Sequence, residues 1–285
     1  MTTAAVWGAS GFIGHAVASA ALDAGWRVRR LQRHGEGDIV RLAQEDDEAR
    51  MRPAVAGCDI AYHCAGKALE GDPAGYADAA GRFARACADV QVSRLVYVGT
   101  VAVYGSRAEG DVRVGDPLSG TGPYAQSRIA AERAMAEALR GTPTRLVVVR
   151  VPAVVGKGMP GTVIARFVRA LRWGVFPHPG PRHATFPCIG VRRLARILVL
   201  LREARTDRDT LQFADHPCWT EIAGRIGART GSRIRRLPLP ALGGKFSALS
   251  STARYADDVE RVLVGTELPD TNDDLDAAIA AALRP

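Results

Sequence analysis

Apolar and polar positions follow two rhythms along this chain, and their order predicts most of its architecture. Ala4, Ala5, Val6 and Trp7 form a short apolar run that stops at Gly8. Beyond it Ile13, Val17, Ala20 and Ala21 fall at helical spacing, which predicts a helix to about Ala24 with Gly25 as its stop signal. Trp26 to Gln32 alternates as a strand. A third strand, more weakly marked, is predicted from Asp38 to Ala43, and the acidic and basic stretch Gln44 to Arg50 is expected to enter a helix. Gly57 to Gly66 reads as a buried strand ending in small residues, Pro73 to Val90 as a helix, and Ser93 to Thr100 as a strand of strong β formers. Strands alternating with helices predict an α/β fold, a doubly wound parallel sheet with helices on both faces. Ligands of such a sheet meet beyond the carboxyl ends of its strands, where Thr100 falls.

The second half is less regular. Arg192 to Arg205 carries Leu194, Ile197, Leu198 and Leu201 on one side, an amphipathic helix expected to pack on the domain and keep a solvated basic face. Arg192 and Arg193 are read as solvating its start. Leu211 to Asp215 is predicted as a last strand at the sheet edge and Thr220 to Thr230 as a helix capped by Thr220. Leu237 to Pro240 is expected to be a connector. Asn272 to Leu283 is expected to be a closing helix, with Asp273, Asp274 and Asp276 suited to its first turns. The expected division is a dinucleotide-binding domain over 1–155 and a smaller substrate-binding lobe over 156–285, with segments near 187–216 returning to the first core.

Composition narrows the class. The chain has 285 residues, 47% of them hydrophobic, enough for a large core and too apolar for disorder. Five cysteines (Cys58, Cys64, Cys87, Cys188 and Cys218) form no C-x-x-C pair, so neither a disulfide framework nor a metal site is expected. The net charge of +8 is spread along the chain, and only Lys67, Lys157 and Lys245 among the 38 basic residues are lysine. That pattern points to a compositional preference for arginine rather than to nucleic acid, while still favouring an anionic cofactor or substrate. With no basic leader and no apolar run near the ~20 residues that span a bilayer, a cytoplasmic protein without membrane insertion is expected.

The chemistry begins at Gly8, Gly11 and Gly14. Glycines where a strand turns into a helix let the backbone approach a pyrophosphate, whose charge the helix N-terminus stabilises. In such units an acidic residue about 20 positions past the glycines bonds the ribose hydroxyls, whereas an arginine accommodates a 2′-phosphate. Here Gln32 is followed by Arg33, with Arg30 and His34 nearby, so NADP is expected, with NAD as the alternative. Ala65 and Gly66 would let the cofactor lie against a strand end. His63, in the same strand, is expected to serve packing rather than catalysis.

Five separated segments then resemble the extended short-chain dehydrogenase/reductase family, the NAD(P)-dependent epimerase/dehydratase group. They are Gly8-Ala-Ser-Gly-Phe-Ile-Gly14, Asp59 to Ala65, Leu95-Val-Tyr-Val-Gly-Thr-Val-Ala-Val-Tyr-Gly105, Pro123-Tyr-Ala-Gln-Ser-Arg-Ile-Ala-Ala-Glu132 and Val149-Arg-Val-Pro-Ala-Val-Val-Gly156. The resemblance covers about residues 1 to 200 and implies a Rossmann domain. It implies a catalytic hydroxyl at Thr100, a catalytic tyrosine at Tyr124, and cofactor contacts at Gly8, Ser10, Gly11, Phe12, Ile13, Gly14, Arg33, Ala65, Gly66, Tyr124, Arg128 and Val151. The family reads Y-x-x-x-K where this chain has Tyr124-Ala-Gln-Ser-Arg128. Arginine matches lysine as a fixed cation four residues along the same helical face, but it cannot pass on a proton.

Two further departures concern the substrate. Members that eliminate water carry acidic residues just after the Thr100 position, where this chain has Val101 and Ala102, so dehydration is disfavoured. The arginine that grips a nucleotide-sugar pyrophosphate aligns near Phe186, with Arg182 and His183 just upstream as substitutes. The segment Gly161 to Gly180 resembles the substrate-side helix and loop of members acting on nucleotide hexoses. The expected function is an NAD(P)-dependent oxidoreductase or epimerase of a nucleotide-linked sugar, with a homodimer as the candidate assembly. A reductase of a small ketone or aldehyde and a silent NADP-binding sensor or scaffold remain alternatives.

Overall fold

Thr3–Trp7 forms β1, the strand around which the winding reverses. In the computed structural model, which describes the chain except residues 35–38, 67–72, 108, 160–162, 172–174, 180, 182, 205–208, 232–234, 240–250, 264–265 and 284–285, the following elements are α1 (Phe12–Asp23), β2 (Arg27–Gln32), β3 (Ile39–Arg41), α2 (Glu48–Val55), β4 (Ile60–His63), α3 (Pro73–Asp89) and β5 (Arg94–Thr100). A 3-10 turn (Val101–Tyr104) leads to β6 (Asp111–Val112), α4 (Pro123–Ala138), β7 (Arg145–Val151), β8 (Ala153–Val155), α5 (Val163–Leu171) and β9 (Val175–Pro179). The chain continues through β10 (Cys188–Gly190), α6 (Val191–Leu200), β11 (Thr210–Gln212), α7 (Trp219–Thr230), β12 (Arg235–Leu239), β13 (Arg254–Tyr255), α8 (Val259–Val262) and α9 (Thr271–Ala282).

Seven strands form one sheet in the order β11-β7-β5-β4-β1-β2-β3, every neighbouring pair parallel. From β1 the chain first winds outward through β2 and β3, then returns to β4 on the other side and winds out to β11. The crevice beyond the carboxyl ends of β1 and β4 is therefore the topological switch point. Alternation along the strands sorts the core into two layers. Trp7, Leu31, Leu95 and Tyr97 face α2, α3 and α4 through Met51, Phe83 and Met135, while Val6, Tyr62 and Val96 share a second cluster with Val17 of α1 and Leu194 and Ile197 of α6. A third cluster gathers α5, α7 and α9 around Trp219, with Ile164, Val168, Ile222, Leu275 and Ile279.

Local chemistry moved several boundaries. Helix α2 starts at Glu48 because the Asp47 carboxylate accepts the Arg50 amide, so Gln44 to Asp46 lie before it. Helix α7 starts one residue earlier than expected: Cys218 is its N-cap and its amide donates to the Glu221 carboxylate at 2.8 Å, leaving Thr220 inside the helix. Leu237 and Pro238 belong to β12 rather than to a connector, paired in parallel with Pro177 and His178 of β9. Proline is tolerated there because a two-stranded ribbon consists of edges; Pro240 lies outside the described residues. Among the described residues no helix is long and apolar enough to cross a membrane.

Candidate active site

The turn between β1 and α1 is shaped by what glycine alone permits. Gly8 sits at φ +87°, its amide donates to Leu31 O at 2.9 Å, and its carbonyl accepts the Gly11 amide at 2.9 Å. A Cβ on Gly8 would stand 2.7 Å from the Ala65 amide nitrogen, and one on Gly14 would run into the Gly8 carbonyl. The N-cap of α1 is Gly11, which offers no side chain to the first turn. The leading amides of the helix, at Phe12, Ile13 and Gly14, thus have no intrahelical acceptor, because the ladder opens with the His15 amide on Gly11 O. Exposed Ser10 and Gly11 leave this end open to solvent. Backbone donors, a positive helix end and no intruding side chain fit a dinucleotide diphosphate. Ala65 and exposed Gly66 border the turn from the end of β4, and Arg33 is exposed just past β2.

Across the crevice stands α4. Gly122 caps it and Pro123 occupies its first turn, where a missing N–H costs nothing. Tyr124, Arg128 and Glu132 follow at intervals of four and so share one face. The helix packs against β5 and the 3-10 turn. Thr100 ends β5, where its Oγ1 accepts the Ala102 amide at 3.2 Å, and it lies in register with Val151 at the end of β7. Thr100 and Val151 thus lie side by side at the carboxyl edge of the sheet, and Tyr124 and Arg128 share one face of α4.

Arg128 is buried yet keeps its charge. Its Cζ lies 5.0 Å from the Tyr124 ring centroid and 4.1 Å from that of Tyr76. Nη1 donates to Tyr76 Oη and Nη2 to Gly66 O at 3.4 Å. Burial works against the charge, but the oxygens of Tyr76, Tyr97 and Tyr124 outweigh it and raise the guanidinium above its ordinary value. Burial pushes the Tyr76 and Tyr97 hydroxyls up, so both stay neutral. Tyr76 and Tyr97 were missed by reading the sequence; the arginine in a lysine position was the available signal that new partners were needed.

His63 is 1% exposed and ringed by Trp7, Tyr97, Phe83 and Tyr76 at centroid distances of 4.6, 5.4, 5.8 and 5.9 Å. Burial, then the nearby Arg128 charge, lowers it to about 3. It is a neutral packing residue.

On the substrate side, Phe186 is buried with its ring 4.8 Å from that of Trp219, while His183 is exposed and Arg182 lies outside the described residues. Arg192 and Arg193 do more than solvate a helix start, contrary to the sequence expectation. Arg192 Nε lies 2.8 Å from Asp274 Oδ1, and Arg193 stands between Asp215 at 3.6 Å and Asp257 at 3.7 Å. Their partners come from segments up to 82 residues away, beyond what local pattern can show.

A sheet wound both ways from β1, with a glycine turn at its switch point, defines a dinucleotide-binding Rossmann protein. Residues 4–209 match the NAD dependent epimerase/dehydratase family, and the chain belongs to that family. Solved structures agree on the fold over nearly all of the chain. MoeE5 in complex with UDP-glucuronic acid and NAD aligns with a TM-score of 0.75 at 22% identity, covering 99% of this chain and 98% of that one. UDP-glucuronic acid 4-epimerase from Bacillus cereus in complex with NAD gives 0.77 at 15% identity with the same coverage. UDP-N-acetylglucosamine 4-epimerase from Bacillus cereus gives 0.78 at 15%, covering all of both chains. A 2-alkyl-3-oxoalkanoate reductase from Shewanella oneidensis is 30% identical over 153 residues, 49% of this chain and 40% of that protein.

Proposed function

We propose that this chain transfers hydride between a nicotinamide dinucleotide, with NADP preferred, and a nucleotide-linked sugar in the cytoplasm, as an oxidoreductase or epimerase. The observation that carries the reading is Arg128, a buried cation that faces the Tyr124 ring and reaches the Gly66 carbonyl beside the dinucleotide turn. When bound, the nicotinamide supplies or accepts the hydride. Tyr124 Oη gives its proton to the substrate oxygen in reduction and takes it back in oxidation. Thr100 orients that oxygen, and Arg128 bonds the nicotinamide ribose while stabilising negative charge on the tyrosine oxygen. Gly8, Ser10, Gly11, Phe12, Ile13 and Gly14 hold the diphosphate, Ala65, Gly66 and Val151 line the cofactor path, and Arg33 meets a 2′-phosphate. Residues 156–285 supply most of the substrate-binding lobe. The epimerases of nucleotide sugars among the structural neighbours support the substrate class.

Tyr124→Phe tests the assignment: turnover is expected to fall by at least a hundredfold while dinucleotide affinity stays within a few-fold. Undiminished turnover would sink it.

A second reading is a reductase of a small ketone. Phe186, packed on Trp219 where a pyrophosphate-gripping arginine would stand, and Arg193, already shared by two aspartates, both favour it, as does the likeness to the 2-alkyl-3-oxoalkanoate reductase. Calorimetric titration with nucleoside diphosphates separates the two. Binding of one diphosphate together with NADP supports the sugar; dinucleotide binding alone supports the ketone.

A further inference from the structure

We infer that Tyr76, backed by Tyr97, is a positioning residue that holds the Arg128 guanidinium in register with Tyr124, so that this site is built for arginine rather than lysine; the inference rests on Tyr124 and Arg128 forming the reacting centre. The guanidinium plane has three separate restraints. Nη1 donates to Tyr76 Oη, Nη2 reaches Gly66 O at 3.4 Å, and Cζ lies 4.1 Å from the Tyr76 ring centroid. The same Cζ lies 5.0 Å from the Tyr124 ring centroid. Among the described residues no carboxylate pairs with Arg128, and the groups that favour its charge are Tyr76, Tyr97 and Tyr124. Its location is therefore set by hydroxyl, carbonyl and aromatic faces, which leave its positive charge unneutralised beside Tyr124.

Tyr76 is itself fixed. Its Oη lies 3.2 Å from Tyr97 Oη and 3.2 Å from Ala65 O, which ties the first turn of α3 to β5 and to the end of β4. Gly66 makes room for this arrangement. A Cβ there would strike the Tyr76 ring and come within 3.1 Å of Arg128 Nη1.

Lysine would use these restraints less specifically. An ammonium is a point charge on a flexible stem, with no plane to lie on a ring and no fork to span a hydroxyl and a carbonyl together. Arginine at 128 and tyrosine at 76 thus form a unit, and replacing either forfeits what the other supplies.

The test is a double-mutant cycle with Tyr76→Phe, Arg128→Lys and the pair, read in three ways: kcat against KM, dinucleotide affinity by calorimetry, and urea unfolding of the dinucleotide-free protein. Tyr76→Phe alone is expected to lower kcat about tenfold, the size of a hydrogen bond to a charged group, with substrate KM changed less than about twofold. In the Arg128→Lys background the same replacement is expected to change kcat less than about twofold, because the hydroxyl has no guanidinium left to hold. An equal tenfold loss in both backgrounds, or no loss in the native one, would overturn the inference. Should Tyr76→Phe fail to fold, Tyr97→Phe takes its place in the cycle, with the same non-additive pattern expected at smaller amplitude. If Tyr124→Phe keeps full turnover, the assignment of the reacting centre falls; the coupling of Tyr76 to Arg128 is then still decided by the unfolding and affinity arms.

Discussion

Glu132 and Arg150 form a buried fork, with Arg150 Nη2 2.6 Å from Glu132 Oε2 and Nε 3.2 Å from Oε1, and both side chains under a tenth exposed. The remaining Arg150 nitrogen, Nη1, donates to Tyr104 Oη at 2.8 Å and Val114 O at 3.2 Å. Glu132 stands two turns along α4 from Tyr124, so this pair fastens the helix to β7 two turns beyond that tyrosine. Breaking a buried pair strands a charge in a low-dielectric interior, at about 3–5 kcal/mol. Glu132→Gln is expected to lose stability of that order, read from the urea midpoint at unchanged slope. Replacing both partners, Glu132→Gln with Arg150→Met, is expected to recover part of the loss. A single-variant loss under about 1 kcal/mol would match an exposed, screened pair instead.

His63 predicts how the protein responds to acid. Burial and the Arg128 charge hold the folded-state imidazole at about 3, against about 6.5 in an unfolded chain. Between these values the unfolded state binds the extra proton. Stability from this residue is therefore complete above pH 6.5 and is lost as pH falls toward 3, at ~1.4 kcal/mol per unit. His63→Phe is expected to flatten that part of the profile, since a phenyl ring fits among Trp7, Phe83, Tyr76 and Tyr97 without a titrating nitrogen. Urea midpoints at pH 7.5 and 5 for both proteins check it. Parallel losses in the two would assign the acid response to other groups.

Much of this was legible in the chain and some was not, and the division follows the range of the interactions. The glycine turn and β5 are written in local spacing, because hydrophobic period and backbone conformation are local properties, whereas Tyr124 and Arg128 were legible only through the family resemblance. The brace beneath them was legible in neither way. Glu132 meets Arg150 across 18 positions and Tyr76 meets Arg128 across 52, and nothing in the neighbourhood of either residue announces its partner. Arg192 and Arg193 showed the cost of the same blindness: two adjacent arginines at a helix start look solvated until Asp274, Asp215 and Asp257 are folded against them. Leu237 and Pro238 misled for a different reason, since proline marks a strand interior as broken but not the edge of a two-stranded ribbon.

The glycines at the two ends of α1 differ sharply in what they tolerate. Gly14→Ala would force a Cβ into the Gly8 carbonyl, whereas Gly25, at φ +78°, has open space around it. Alanine at 14 is expected to displace the turn and weaken dinucleotide binding by at least tenfold in a calorimetric titration. Alanine at 25 carries only the strain of a left-handed backbone, about 1–2 kcal/mol, and is expected to leave that affinity unchanged. Equal affinity losses in both would mean that general destabilisation, rather than the shape of the cradle, governs binding.

Asp274 joins the end of the chain to the helix that packs on α1. Its Oδ2 accepts the Arg192 amide at 2.9 Å and its Oδ1 lies 2.8 Å from Arg192 Nε, so a residue of α9 caps the N-terminus of α6 from outside. Two residues before Arg192, the Gly190 amide donates to Thr271 Oγ1 at 2.9 Å, which in turn donates to Asp215 at 2.5 Å. Gly190 has no alternative there, because a Cβ would come within 2.6 Å of Asp274 Oδ2. The carboxylate thus acts as a helix cap and as a charged acceptor at a buried position. Asp274→Ala removes both contacts and is expected to cost about 2–4 kcal/mol. Asp274→Asn keeps an acceptor for the amide while losing the charge, and is expected to cost about half as much. Urea unfolding of the two variants gives the ranking. If asparagine proves as damaging as alanine, the ionic contact to Arg192 dominates and the cap is secondary; if both are neutral, α9 does not hold α6 and the junction has been misjudged.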